Sequence, residues 1–246
     1  MKLKWTFLNN FLLALKQLIT LPVNFQAKGD ISNAFNWFPV AGAAIGCLIY
    51  LGISFVIWIL GDAPAVGSVI SAGLFAFFLY FINQGRSVNA LLKSTTFMSD
   101  SMKHTSTSEL MLHLGQNLNL IVITFLFFCK LVVSGILIYY NFHKWLVLVP
   151  LFSAGCLSMF FVNVRYEDQP ERKIERYTPW LLSLLIASVV SGVQGFAVGA
   201  VIWFLSQLAY DYVKKQPASE VQNMVYGSCE LVECLTLFGG LILCCL

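Results

Sequence analysis

Charged side chains are scarce in this chain of 246 residues: Asp, Glu, Lys and Arg make up 11%, against about 25% in a soluble globular domain. Histidine is rarer still, with three in all. So few polar groups cannot cover a water-exposed surface, which excludes a soluble globular protein. The net charge of +3 leaves no basic footprint for nucleic acid. Motifs that carry chemistry at fixed spacing are missing too: no nucleophile elbow, P-loop or zinc motif occurs. The cysteines Cys47, Cys129, Cys156, Cys229, Cys234, Cys244 and Cys245 form no CxxC pair and all fall in apolar segments, where they read as small apolar residues. Met1–Val23 carries Lys2, Lys4 and Lys16 but no small-residue cleavage site, so it does not read as a cleavable signal peptide. No internal repeat is evident, nor a set of broken mid-span helices, and both absences weigh against a transporter.

What is present is hydrophobic: 58% of the residues are apolar, gathered in runs long enough to cross a bilayer, for which about 20 residues suffice. The expected fold is all-α, one polytopic membrane domain over residues 1–246 with about seven spans. Met1–Val23 repeats its apolar residues at helical spacing (Trp5, Leu8, Phe11, Leu12, Leu15, Ile19), as an amphipathic helix on the membrane surface does. The spans follow at Trp37–Leu60, Ala65–Ile82, Leu118–Tyr140, Trp145–Val164, Pro179–Val190, Phe196–Tyr212 and Val225–Leu246. Ser191–Gly195 turns the chain between the fifth and the sixth. With the N-terminus cytoplasmic, the outer turns hold only Lys144, and every other Lys and Arg except Lys130 lies inside or in the inner segments. That asymmetry satisfies the positive-inside rule. Gly42/Gly46 and Gly195/Gly199 form GxxxG faces that permit close helix association, including between copies of the chain.

Two inner segments are polar enough to hold a site. Residues 83–117 are rich in Ser, Thr, Asn and Gln and include His104 and His113, yet their only carboxylates are Asp100 and Glu109. They are expected to form a cytoplasmic loop of active-site type. Residues 165–178 form a second, charged loop, either a solvated connector or a phosphate site through Arg165 or Arg172. Charges at bilayer depth cost a few kcal/mol and mark function or pairing. Lys130, Glu230 and Glu233 qualify. The two glutamates share a helix face at i and i+3. They could hold a metal cation or orient a ligand; equally they could be a packing pair that Lys130 neutralises.

Several landmarks, taken in order, resemble the cobalamin synthase family, adenosylcobinamide-GDP ribazoletransferase. They are the opening segment Phe11–Val23, Trp37-Phe-Pro-Val-Ala-Gly-Ala-Ala-Ile-Gly46, the span around Lys130, Arg165-Tyr166, and the terminal Glu230-Leu-Val-Glu233. The resemblance implies a membrane enzyme that joins adenosylcobinamide-GDP to α-ribazole or its 5′-phosphate, at the cytoplasmic face and with Mg²⁺, beside other cobalamin-pathway enzymes. The family's Mg²⁺ run is G-G-x-H-x-D-G-x-x-D-x-x-D-G, clustered carboxylates that hold the ion against phosphate oxygens. In this chain its His falls on Ser87 and its three Asp fall on Asn89, Lys93 and Thr96. A later family Asp falls on His113 and another on Asn223. These replacements are neutral or, at Lys93, positive, so the resemblance implies the fold and an impaired Mg²⁺ site. Open alternatives are an active enzyme with a site rearranged around Glu230, Glu233, Asp100 and Glu109, and a non-enzymatic scaffold or corrinoid-binding protein. Candidate substrate contacts are Arg165 and Lys130, and candidate metal ligands Glu230 and Glu233.

Overall fold

A computed structural model describes residues 2–19, 34–61, 63–82, 86–103, 109–165 and 173–246, without side chains at 2–6, 95–103, 109–120, 123, 165, 173–176 and 218. Every regular element among the described residues is helical: α1 (Lys2–Leu18), α2 (Phe38–Ile59), α3 (Pro64–Ile82), α4 (Arg86–Lys103), α5 (Glu109–Tyr139), α6 (Leu148–Arg165), α7 (Lys173–Val213) and α8 (Ala218–Cys245). Short 3₁₀ turns at Phe35–Trp37 and His143–Val147 lead into α2 and α6. Phe35–Ile59, Pro64–Ile82, His143–Val164, Tyr177–Val213 and Ser219–Cys245 are long and apolar enough to cross a membrane, and Thr124–Tyr139 is a shorter apolar helix.

The 41 residues of α7 are not one rod. Ser191 (φ −133°, ψ 15°) and Gly192 (φ 63°, ψ −149°) leave helical geometry, and Gly192 takes a conformation open to glycine almost alone. Beyond it the chain turns back. The rings of Tyr177 and Trp203 are 6.2 Å apart, whereas a straight helix would separate them by about 39 Å. The two arms of a helical hairpin thus meet at the turn expected from Ser191–Gly195.

α6 is the centre of the bundle, with 89% of its apolar stretch buried; a helix that is apolar all round belongs in such a place. α2, the α7 hairpin and α8 surround it. Gly42 and Gly46 of α2 make one of these contacts possible: a Cβ on Gly42 would stand 2.5 Å from the Pro150 carbonyl oxygen, and one on Gly46 2.5 Å from that of Val147. Gly199 is likewise closed over by Leu184 and Phe152. Both GxxxG faces thus pack against other helices of the same chain. The outer surface is apolar instead of polar, with Leu48, Leu51, Phe55 and Trp58 of α2 and Val69, Phe77 and Phe81 of α3 exposed, as lipid contact requires.

Residues 83–117 also differ from expectation. Among the described ones, 86–103 and 109–117 are helical, not loop. The reason is a period hidden among polar residues. Ser87, Ala90, Leu91 and Ser94 are buried, the i, i+3, i+4, i+7 pattern of an amphipathic helix. That face packs on α8, where Gly227 admits the α4 backbone: its Cβ would lie 3.1 Å from Leu91 Cα. In the charged segment 165–178, Arg165 ends α6 and Lys173–Thr178 are helical, while residues 166–172, Arg172 with them, lie outside the described residues.

Candidate functional site

The three charged residues buried among the described helices come together. Lys130 projects from α5, Glu230 and Glu233 from one face of α8. Lys130 Nζ lies 2.5 Å from Glu230 Oε1 and 2.5 Å from Glu233 Oε2. The remaining carboxylate oxygens are bound from two further helices. Ser87 Oγ of α4 donates to Glu230 Oε2 at 2.8 Å, and Ser153 Oγ of α6 donates to Glu233 Oε1 at 3.1 Å. Exposure is 6% at Lys130, 2% at Glu230 and 1% at Glu233, so the charges interact with little screening. One cluster thereby ties α4, α5, α6 and α8.

Two openings flank the cluster. On one side is a cavity of about 90 Å³, walled by Tyr80, Phe127, Ser87 and the three charged residues. On the other side of Ser87 is a crevice of about 40 Å³ among Gln17, Arg86, Ser153, Tyr226 and Cys229. Arg86 caps this crevice: its guanidinium lies 5.3 Å from the Tyr226 ring centroid and donates to the phenol oxygen at 3.4 Å. The roomier groove between α3 and α5, about 410 Å³, has no charged wall.

Of the positions carried over from the family's Mg²⁺ run, Ser87 reaches the cluster. Asn89 and Lys93 lie on the exposed face of α4, turned from α8. Asn223 is half-buried and donates to Glu220 Oε2 on its own helix at 3.3 Å. The side chains of Thr96, His113 and Arg165 lie outside the described residues, as do those of Asp100 and Glu109. Glu230 and Glu233, the candidate metal ligands, are bridged by an ammonium. Mg²⁺ requires near-octahedral oxygen ligands at about 2.0–2.1 Å, and a lysine nitrogen between the two carboxylates repels it. The pair as arranged does not fit the ion. Among the described residues no group of three or more His, Cys, Asp or Glu is placed to hold a metal.

Sequence reasoning missed the two serines. Ser87 stood out only as a replaced histidine, although its place on the buried face of α4 was legible from the helical period. Ser153 is one of several serines in apolar helices, and nothing local marks it. The Arg86–Tyr226 contact joins positions 140 residues apart and left no pattern to read. No family model matches the chain, and searches of curated proteins and of solved structures find no match.

Proposed function

We propose that this protein is a seven-span membrane protein on the scaffold of the cobalamin synthase family that has lost Mg²⁺-dependent ribazole transfer and serves as a non-enzymatic membrane component. The observation that carries this reading is the Lys130 ammonium seated between Glu230 and Glu233. Those carboxylates are committed to a cation of the chain's own. With Asn89 and Lys93 standing where the resemblance places metal-ligating aspartates, no charge is left there for Mg²⁺. A rearranged active site loses its basis on the same ground, because two of its four carboxylates are already paired. The distribution of Lys and Arg supports a cytoplasmic N-terminus in a bacterial or archaeal inner membrane, and the α7 hairpin supports an odd number of crossings. Such a protein would hold a corrinoid or pathway enzymes at the membrane.

The test is transfer itself. Purified protein with Mg²⁺, adenosylcobinamide-GDP and α-ribazole is expected to yield no cobalamin above a no-protein control. Sustained turnover overturns the proposal.

A further inference from the structure

Where the second arm of α7 ends and α8 begins, the packing is open. The two helices run antiparallel: a Cβ on Gly239 would meet Val198 at 2.9 Å, and further along the same seam Ala209 and Tyr212 share a cleft with Ser228 and Leu231. Beside the seam, α4 supplies Leu91 and Ser94. The cleft measures about 190 Å³. Its two serine hydroxyls are turned back on their own helices, Ser94 Oγ donating to the Ala90 carbonyl at 3.0 Å and Ser228 Oγ to that of Met224 at 2.8 Å. The interior therefore suits an apolar occupant. It opens on the lipid-facing surface: Tyr212 and Leu231 are 48% and 49% exposed. From Leu231 the exposed face of α8 continues through Leu235, Phe238 and Ile242, and from Tyr212 that of α7 continues through Leu208, Leu205 and Val201. Both stripes keep the spacing of one helix face, so a hydrocarbon chain finds an unbroken apolar path from the cleft along the seam.

The other end of the cleft is basic. Lys214 and Lys215 directly follow Val213, a wall residue, and Lys93 directly precedes Ser94. All three are exposed. The carboxylates nearby are engaged: Asp211 pairs with Lys214 at 3.6 Å, and Glu220 accepts from Asn223 at 3.3 Å. Among the described residues Lys93 and Lys215 have no ion-pair partner. An apolar path that ends beneath uncommitted cations matches a molecule with a hydrocarbon tail and a negative head. We propose that the cleft binds an anionic phospholipid, with one acyl chain in the cleft and along the α7–α8 seam and the head group among Lys93, Lys214 and Lys215. The chain supplies the dispersion contacts that an unfilled groove lacks, and the lysines select head groups by charge. The site stands on cleft and charge, whether or not the chain retains transferase activity.

Full-length protein in phosphatidylcholine nanodiscs can be photolabelled with traces of phosphatidylglycerol or of phosphatidylcholine, each bearing a diazirine on one acyl chain. Labelled peptides are then mapped by mass spectrometry. Phosphatidylglycerol is expected to label the segments around Tyr212 and Leu231 at least about fivefold more than phosphatidylcholine, the factor that a single lysine contributes at an anionic surface. Excess unlabelled phosphatidylglycerol should remove the signal. Lys93→Gln, Lys214→Gln and Lys215→Gln together, all exposed changes, should bring the two lipids to parity in protein that still elutes as a single folded species. Ala209→Phe, which fills the cleft and keeps every lysine, should also abolish the preference. Equal labelling by the two lipids in the wild-type protein, a comparison that needs no variant, overturns the proposal. So does a preference that survives the triple substitution, or one that survives Ala209→Phe, because attraction to surface charge alone would then account for it.

Discussion

At the scale of single residues, Lys130 decides how the cluster behaves. Removing one partner of a buried ion pair leaves the other charge uncompensated and costs about 3–5 kcal/mol, whereas replacing the whole set with neutral groups of similar shape is often close to neutral. Lys130 here serves two carboxylates at 2.5 Å each. Lys130→Met alone is therefore expected to lower the unfolding midpoint in detergent sharply. Adding Glu230→Gln and Glu233→Gln to it should restore most of the loss, because Ser87 and Ser153 can hydrogen-bond an amide as they do a carboxylate. A double-mutant cycle on the same midpoint measures the coupling. If Lys130→Met were as stable as the wild type, the triad would not be a structural lock. The pairing of Lys130 with glutamate was legible in advance, because an apolar helix gives a lone charge few alternatives. The serines were not, because a hydroxyl in such a helix can also satisfy itself on its own backbone, as Ser134 does on the Lys130 carbonyl.

Among the helices, glycine sets which pairs can touch. The α2–α6 contact rests on Gly42, where an added Cβ would lie 2.5 Å from the Pro150 carbonyl oxygen and 2.7 Å from Ala154 Cβ. Backbone cannot give way as a flexible side chain can, and overpacking of this kind typically costs about 1–3 kcal/mol. Gly42→Ala should thus lower thermal stability clearly, while Gly52→Ala on the same helix, with nothing within 4 Å, should leave it unchanged. Equal effects at both positions would deny that the close approach exists. A GxxxG pattern announces close approach without naming the partner, which is why the sequence could suggest association between copies while α6 is what fills the groove. α4 shows the opposite limit. Its buried face contains two serines and an alanine beside Leu91, so an average over the segment reads as polar loop and only the period betrays a packed helix.

For the molecule as a whole, topology is the testable matter. Apolar runs and loop charges made the helix positions readable. The α7 hairpin was also visible, since Ser191 and Gly192 interrupt a run otherwise long enough to be a single helix. What composition could not reveal is the radial order: the α6 stretch is less hydrophobic than α2 and level with α3, yet among the candidate spans it alone is almost wholly enclosed. The proposed orientation and span count are tested by reporter fusions, which should show the N-terminus on the cytoplasmic side and Leu246 on the opposite side. A cytoplasmic C-terminus would mean that one span has been miscounted. The enclosure of the cluster also bears on how the chain is made. Lys130 and Glu233 are separated by 103 residues, and both carboxylates reside on the last helix. During synthesis the lysine enters the membrane well before its counter-ions exist, so a chain halted ahead of α8 displays a naked positive charge at bilayer depth. Until α8 has joined the bundle, Lys130 therefore has neither of its counter-ions.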